Sequence, residues 1–165
     1  EEIPRAEPHV GVAAQIPQNG YVGGFSGHTD IRQKPSAARG NMGRILVFFH
    51  SSTDCTRDMA AYVEEGAKSL PGHDVRLRSC ADCQAEDVLW ADGLAVGTPT
   101  NLGGIAWEMK KWWDEFATGH WDKVDGKLCT TFSSQGGHGG GAELSCMAMA
   151  TVLLNFGFLF FGVTD

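Results

Sequence analysis

Beyond residue 43 the chain alternates between unbroken apolar runs and amphipathic stretches. Residues 45–49, Ile-Leu-Val-Phe-Phe, have the pattern of a parallel strand covered on both faces. Over 56–70, Met59, Tyr62, Val63, Gly66, Ala67 and Leu70 recur at three- and four-residue spacing, with Glu64, Glu65 and Lys68 on another arc. That spacing predicts a helix lying on a sheet, stopped by Pro71-Gly72. A short strand follows at 75–77, a short helix at 85–89, and a third strand at 92–97 that ends at Thr98-Pro99-Thr100. A helix is expected over 105–116, where Trp107, Met109, Trp112, Trp113 and Phe116 repeat as a sheet-covering face requires. A strand at 127–132, a helix at 142–156 and a last strand at 158–163 complete the pattern.

Strands and helices alternating at these intervals build right-handed βαβ crossovers. The expected architecture is an α/β doubly wound parallel five-stranded sheet in the order 2-1-3-4-5. Its ligand would lie at the carboxyl ends of strands one and three, where the winding reverses. The sequence stops just after the fifth strand, so a closing helix on the face of the first helix is absent from it. Each large apolar side chain left bare there would cost ~1.5–3 kcal/mol. Residues 1–43, further C-terminal residues or a partner protein are expected to supply the cover. Residues 1–43 read as a separate arm: prolines at 4, 8, 17 and 35 are interleaved with glycines, and no periodic apolar pattern persists. Ile16, Tyr21, Val22 and Phe25 would anchor it if it lies over a surface.

Composition adds exclusions. The 165 residues are 42% hydrophobic and 20% charged, enough for one substantial core, so 44–165 is taken as one domain. A formal charge of −7 argues against a broad electrostatic grip on nucleic acid. Five cysteines, an odd number spread through core elements, do not make a disulfide framework and fit a reducing compartment. Cys80-Ala81-Asp82-Cys83 has redox or zinc spacing, but no second such pair follows, so it is read as two ordinary cysteines and no metal is expected. The longest apolar run, 156–163, is too short to span a bilayer. The chain begins at Glu1 without Met, compatible with a removed targeting peptide or an omitted start, which leaves cytoplasm or organelle interior open.

Three loops carry the candidate chemistry. After the first strand comes His50-Ser51-Ser52-Thr53-Asp54-Cys55-Thr56, where hydroxyls beside the free N–H groups of a starting helix can surround a phosphate. After the third strand comes Gly97-Thr98-Pro99-Thr100-Asn101-Leu102-Gly103-Gly104; its proline stiffens the loop and its glycines let a planar ring approach main chain. After the fourth comes Ser133-Ser134-Gln135-Gly136-Gly137-His138-Gly139-Gly140-Gly141, suited to wrapping the edge of a flat ligand. His138 is the candidate catalytic group, donating a proton or hydrogen bond to a bound oxygen. Trp107 and Trp112 are expected to be packing residues rather than ring stackers.

Taken together, these loops resemble those of the flavodoxin-like NAD(P)H:quinone oxidoreductases of the tryptophan-repressor-binding-protein type, across residues 44–164. The resemblance implies that Ser51, Ser52, Thr53, Cys55 and Thr56 hold the phosphate of FMN. It implies that Pro99, Thr100, Asn101, Leu102, Gly103 and Gly104 line the isoalloxazine, with Ser134, Gln135, Gly136, Gly137 and His138 flanking its other edge and the ribityl chain. It further implies hydride transfer from NAD(P)H to FMN, two-electron reduction of a quinone, and assembly as homo-oligomers. Three places depart from that pattern. Asp54 stands where the family commonly has Gly, Asn101-Leu102 where Arg-Phe is usual, and Asn155-Phe156 where a histidine pair is usual. A carboxylate about 4 Å from a phosphate charge would cost roughly 4 kcal/mol at an effective dielectric near 20, although Asp tolerates a glycine's backbone angles and could point away. The leading expectation is therefore the FMN-dependent oxidoreductase. The alternatives are an accessory or structural subunit of a larger assembly, motivated by the bare sheet face, the arm and Asp54, and a flavodoxin-type electron carrier.

Overall fold

The computed structural model describes residues 43–162; the arm at 1–42 and residues 163–165 lie outside the described residues. The order is β1 (Gly43–Phe49), α1 (Cys55–Ser69), β2 (His73–Ser79), α2 (Ala85–Trp90), β3 (Gly93–Asn101), β4 (Gly104–Ile105), α3 (Trp107–His120), β5 (Leu128–Ser134), α4 (Ala142–Asn155) and β6 (Leu159–Phe160). The strands run β2-β1-β3-β5-β6, all parallel, with β4 paired antiparallel to β3 off this path. Leaving out the two-residue β4, this is the expected 2-1-3-4-5 sheet. Its winding reverses between β1 and β3, which pair directly with Leu46 opposite Leu94 and Phe49 opposite Gly97.

Both faces of the central strands are buried, which is why β1 reads as a continuous apolar run. Leu46, Phe48, Leu94, Val96 and Cys129 join Val88 of α2, Met109, Trp113 and Phe116 of α3, and Met149 and Leu153 of α4 in the larger core. Val47, Phe49 and Ala95 face the other way, onto Ala60 of α1, with Val63 and Phe132 packed around them. The larger core centres on aromatic rings. Fully buried Trp113 has its ring 5.3 Å from that of Phe156 and 5.5 Å from that of Phe116, and meets Phe48 and Phe158 at 6.0 Å.

On the α1 face, an apolar groove of about 350 Å³ runs between Val63 and Ala67 of the helix and Ile45, Leu94, Leu128 and Phe161. Among the described residues α1 is the helix that lies on this face.

At the β2 edge, Asp87 accepts hydrogen bonds from Arg76 Nη1 (3.0 Å), Arg78 Nε (3.3 Å) and the Gln84 amide (3.2 Å). Burial by itself would raise its carboxyl, but the Gln84 amide and the two guanidinium groups outweigh that and hold it below the usual carboxylate range. A carboxyl depressed in the folded state stabilises fully above its unfolded value near pH 4, and that contribution is lost as pH falls through the folded value. Asp87→Asn is expected to cost about 1 kcal/mol at pH 7, since both arginines are partly solvated. Urea unfolding at pH 7 and at pH 3 should find variant and parent closer together at the lower pH; an equal gap at both would refute the assignment.

Candidate functional site

The first loop leaves β1 at His50, whose amide donates to Gly97 O at 3.0 Å, and enters α1 at Cys55. Asp54 takes the left-handed conformation, φ 67° and ψ −18°, and makes no side-chain cap to the helix. Its carboxylate instead lies 2.8 Å from Arg57 Nη1, one turn on. The aspartate thus adopts the backbone shape a glycine would supply, and the charge expected to oppose an anion is offset by a guanidinium.

Ser51 Oγ is buried without a hydrogen-bond partner among the described residues. Such a hydroxyl is costly unless something else accepts from it or donates to it. Thr56, 1% exposed, shares a 2.8 Å hydrogen bond with Ser134 Oγ, while Ser52, Thr53 and Cys55 are exposed at the loop surface. His50 was not among the predicted site residues, yet its Nε2 lies 3.2 Å from Ser52 Oγ and 3.5 Å from Glu108 Oε2. Either atom of the His50–Ser52 pair can donate, according to the imidazole tautomer. The sequence signal for His50 was its position, the first residue past β1.

The second segment departs from expectation in shape. Instead of ending at 97, β3 continues to Asn101 and turns back through Leu102 and Gly103 into β4, with Thr100 opposite Ile105 and Asn101 opposite Gly104. Both turn residues have positive φ, 51° at Leu102 and 82° at Gly103, as the tight I′ class of hairpin requires. Leu102 is fully exposed at the tip. Buried Thr98 secures the base, its Oγ1 accepting from Ala106 N at 3.0 Å. The residues predicted as the start of a helix at 105 are therefore hairpin, and α3 begins at Trp107.

In the third segment Gln135 Oε1 accepts from Ala142 N at 3.0 Å and so caps α4. Gly141, φ 96°, presses on the hairpin tip: a Cβ there would stand 3.1 Å from Gly103 Cα. Ser133 Oγ donates to Thr98 O (2.7 Å) and lies 3.0 Å from Thr100 Oγ1. Gly136, Gly137 and His138 are exposed, and none of the bonds joining the segments runs through His138.

The three predicted segments are thus brought to one end of the sheet and tied to each other. Loop one meets loop three through Thr56–Ser134 and segment two through His50–Gly97, and segment two meets loop three through Thr100–Ser133 and Gly103–Gly141. Hydroxyls and a helix start suit an anion, and a slot edged by backbone suits a flat ring. Trp112 packs as expected, its ring 4.6 Å from that of Phe48 and its Nε1 donating to Cys83 O. Trp107 does not: it is 66% exposed, because it opens the helix rather than lying one turn into it. Burial pushes the Cys80 thiol up to about 12 and raises that of Cys83 further, so neither is a thiolate nucleophile at neutral pH.

No protein-family model matches the chain. It is 52% identical over 124 residues to a flavodoxin of Aquifex aeolicus, covering 75% of this chain and 67% of that protein. It is 29% identical over 145 residues to an NAD(P)H dehydrogenase (quinone) of Chromohalobacter salexigens, covering 74% and 72%. Among solved structures, a WrbA-like flavodoxin from Agrobacterium tumefaciens superposes with a TM-score of 0.61 at 25% identity, over 71% of this chain and 75% of that one. A Fusobacterium nucleatum flavodoxin bound to flavin mononucleotide superposes with a TM-score of 0.60 at 15% identity, over 75% and 72%. The winding of the sheet, the three joined loops at its carboxyl end and the extent of the match to the Aquifex protein place this chain in the flavodoxin family.

Proposed function

We propose that the site binds FMN and that the protein transfers electrons through it. The observation that carries this reading is the buried, unpartnered Ser51 hydroxyl, set in a loop whose one carboxylate is held by Arg57. Ser51, Ser52, Thr53 and Thr56, with the amides of the first turn of α1, would hold the phosphate. Pro99 to Gly104 would line one side of the isoalloxazine and 134–137 its other edge. When bound, FMN supplies one- and two-electron redox chemistry. The protein's part is to orient the ring, donate hydrogen bonds at its edges and leave one face approachable. The 52% relative is named a flavodoxin, which supports an electron carrier.

NAD(P)H:quinone oxidoreduction is the second reading, favoured by the Chromohalobacter relative's name and by the hairpin. Neither 97–104 nor 133–141 contains a phenylalanine, tyrosine or tryptophan to cover the ring, so a nicotinamide and then a quinone would have room to stack on it. The accessory-subunit alternative loses one of its grounds, because Asp54 is already paired.

Titrating the purified protein with FMN while following quenching of flavin fluorescence should give saturable one-to-one binding; its absence overturns the proposal. Bleaching of the bound flavin by NADH or NADPH, restored by a quinone, selects the second reading. Reduction by dithionite but not by NADH or NADPH selects the carrier.

A further inference from the structure

The loop entering α1 carries a charge pair that its backbone shape does not require. Asp54 stands at the N-cap with φ 67°, a conformation open to glycine, asparagine and aspartate; glycine or asparagine would supply it without a charge. From that backbone shape the carboxylate makes no cap to the helix, so the first amides of α1 keep their donors free. Asp54 Oδ1 lies instead 2.8 Å from Arg57 Nη1, and Arg57 Nε lies 3.6 Å from Asp58 Oδ1. Among the described residues, Arg57 is the one basic side chain within 4 Å of Asp54. The side chains of Arg57, Asp54 and Asp58 are 55%, 62% and 67% exposed, so the pair adds little to the stability of the fold. Its electrostatic effect falls on whatever charge sits at the helix start. With Arg57 the three side chains carry one net negative charge; without it they carry two.

We infer that Arg57 is a specificity-determining residue, setting a preference for phosphorylated over unphosphorylated flavin by acting through Asp54 rather than by touching the phosphate. The inference rests on the FMN reading and deepens it. A phosphoryl group carries close to two negative charges at neutral pH, whereas riboflavin, the same ring and ribityl chain without the phosphate, carries none. Loss of the guanidinium therefore penalises FMN and leaves riboflavin alone. A direct contact would leave a different signature, because the penalty would then persist whatever residue stood at 54. The geometry favours the indirect route, since Nη1 and Nε are both turned to carboxylates. A carboxylate about 6 Å from a doubly charged group, in a medium close to water, changes affinity about tenfold. Salt shrinks that effect.

Fluorescence titrations of the full chain with FMN and, separately, with riboflavin test this at about 20 mM and about 500 mM salt. Arg57→Gln should weaken FMN binding about tenfold at the lower salt and less than about threefold at the higher, with riboflavin affinity unchanged. Asp54→Asn removes the charge and keeps a residue that tolerates positive φ; added to Arg57→Gln, it should return FMN affinity to that of the parent. Circular dichroism should not distinguish the variants, because both side chains are on the surface. A double variant as weak as Arg57→Gln overturns the inference, since Arg57 would then meet the phosphate directly. Equal losses for FMN and riboflavin, or no loss for FMN, also overturn it and leave the FMN reading standing. If riboflavin binds too weakly to titrate, the double variant and the salt dependence decide. A parent that binds no FMN overturns the FMN reading, and the inference with it.

Discussion

Ser51→Ala should yield a protein that is more stable without FMN and poorer at holding it. The hydroxyl is buried with no partner among the described residues, and an unsatisfied buried polar group costs ~1–3 kcal/mol. Deleting it should therefore raise the unfolding free energy of the FMN-free protein, by about 1 kcal/mol after allowance for relaxation of the loop. A hydrogen bond to a charged acceptor is worth about 1.5–3 kcal/mol, so FMN affinity should fall roughly ten- to a hundredfold. Urea unfolding without FMN and a fluorescence titration with it separate the two effects. If stability and affinity fell together, Ser51 would be a structural residue and the anion site would have to be placed elsewhere.

The second large effect is expected in the core. Trp113→Ala should cost about 3–5 kcal/mol, a large share of the 5–15 kcal/mol typical of a domain. Its ring is fully buried and flanked by Phe48, Trp112, Phe116, Phe156 and Phe158, which come from β1, α3 itself and the α4–β6 connection. Trp113→Phe should be far milder. It keeps much of the volume and removes an indole N–H that has no partner. Thermal unfolding of both variants distinguishes packing from hydrogen bonding: losses of equal size would mean that the N–H, not the ring volume, carries the stability.

The difference between what could be read from residues and what could not follows from where the information sits. The β1 run and the arc on α1 are local patterns that report burial directly, so sheet order and helix placement followed from them. The hairpin after β3 was not legible, because leucine is a poor residue for positive φ. Leu102 is held there by the Thr98–Ala106 bond and by Gly103, and no local preference announces it. Trp107 was misplaced for the same reason: with 104–105 in β4, the helix starts two residues later and its phase at the first turn changes. The three loops that the structure joins at one end of the sheet stood out in the sequence, because glycine and hydroxyl clusters mark strand ends in such a fold. The bonds that fasten them, Thr56 to Ser134 above all, span 78 residues and leave no trace in spacing. Arg57 lies three residues past Asp54 on a helix start, so that ion pair is within reach of spacing rules.

The approach of Gly141 to Gly103 divides the loop end of the sheet into parts that tolerate redesign and parts that do not. At 141 any side chain would wedge the hairpin from the glycine loop. At Gly136 and Gly137 an added Cβ meets nothing within 4 Å, and neither has positive φ. Those two positions can therefore be varied without a steric clash, while 103 and 141 are kept fixed as the clasp.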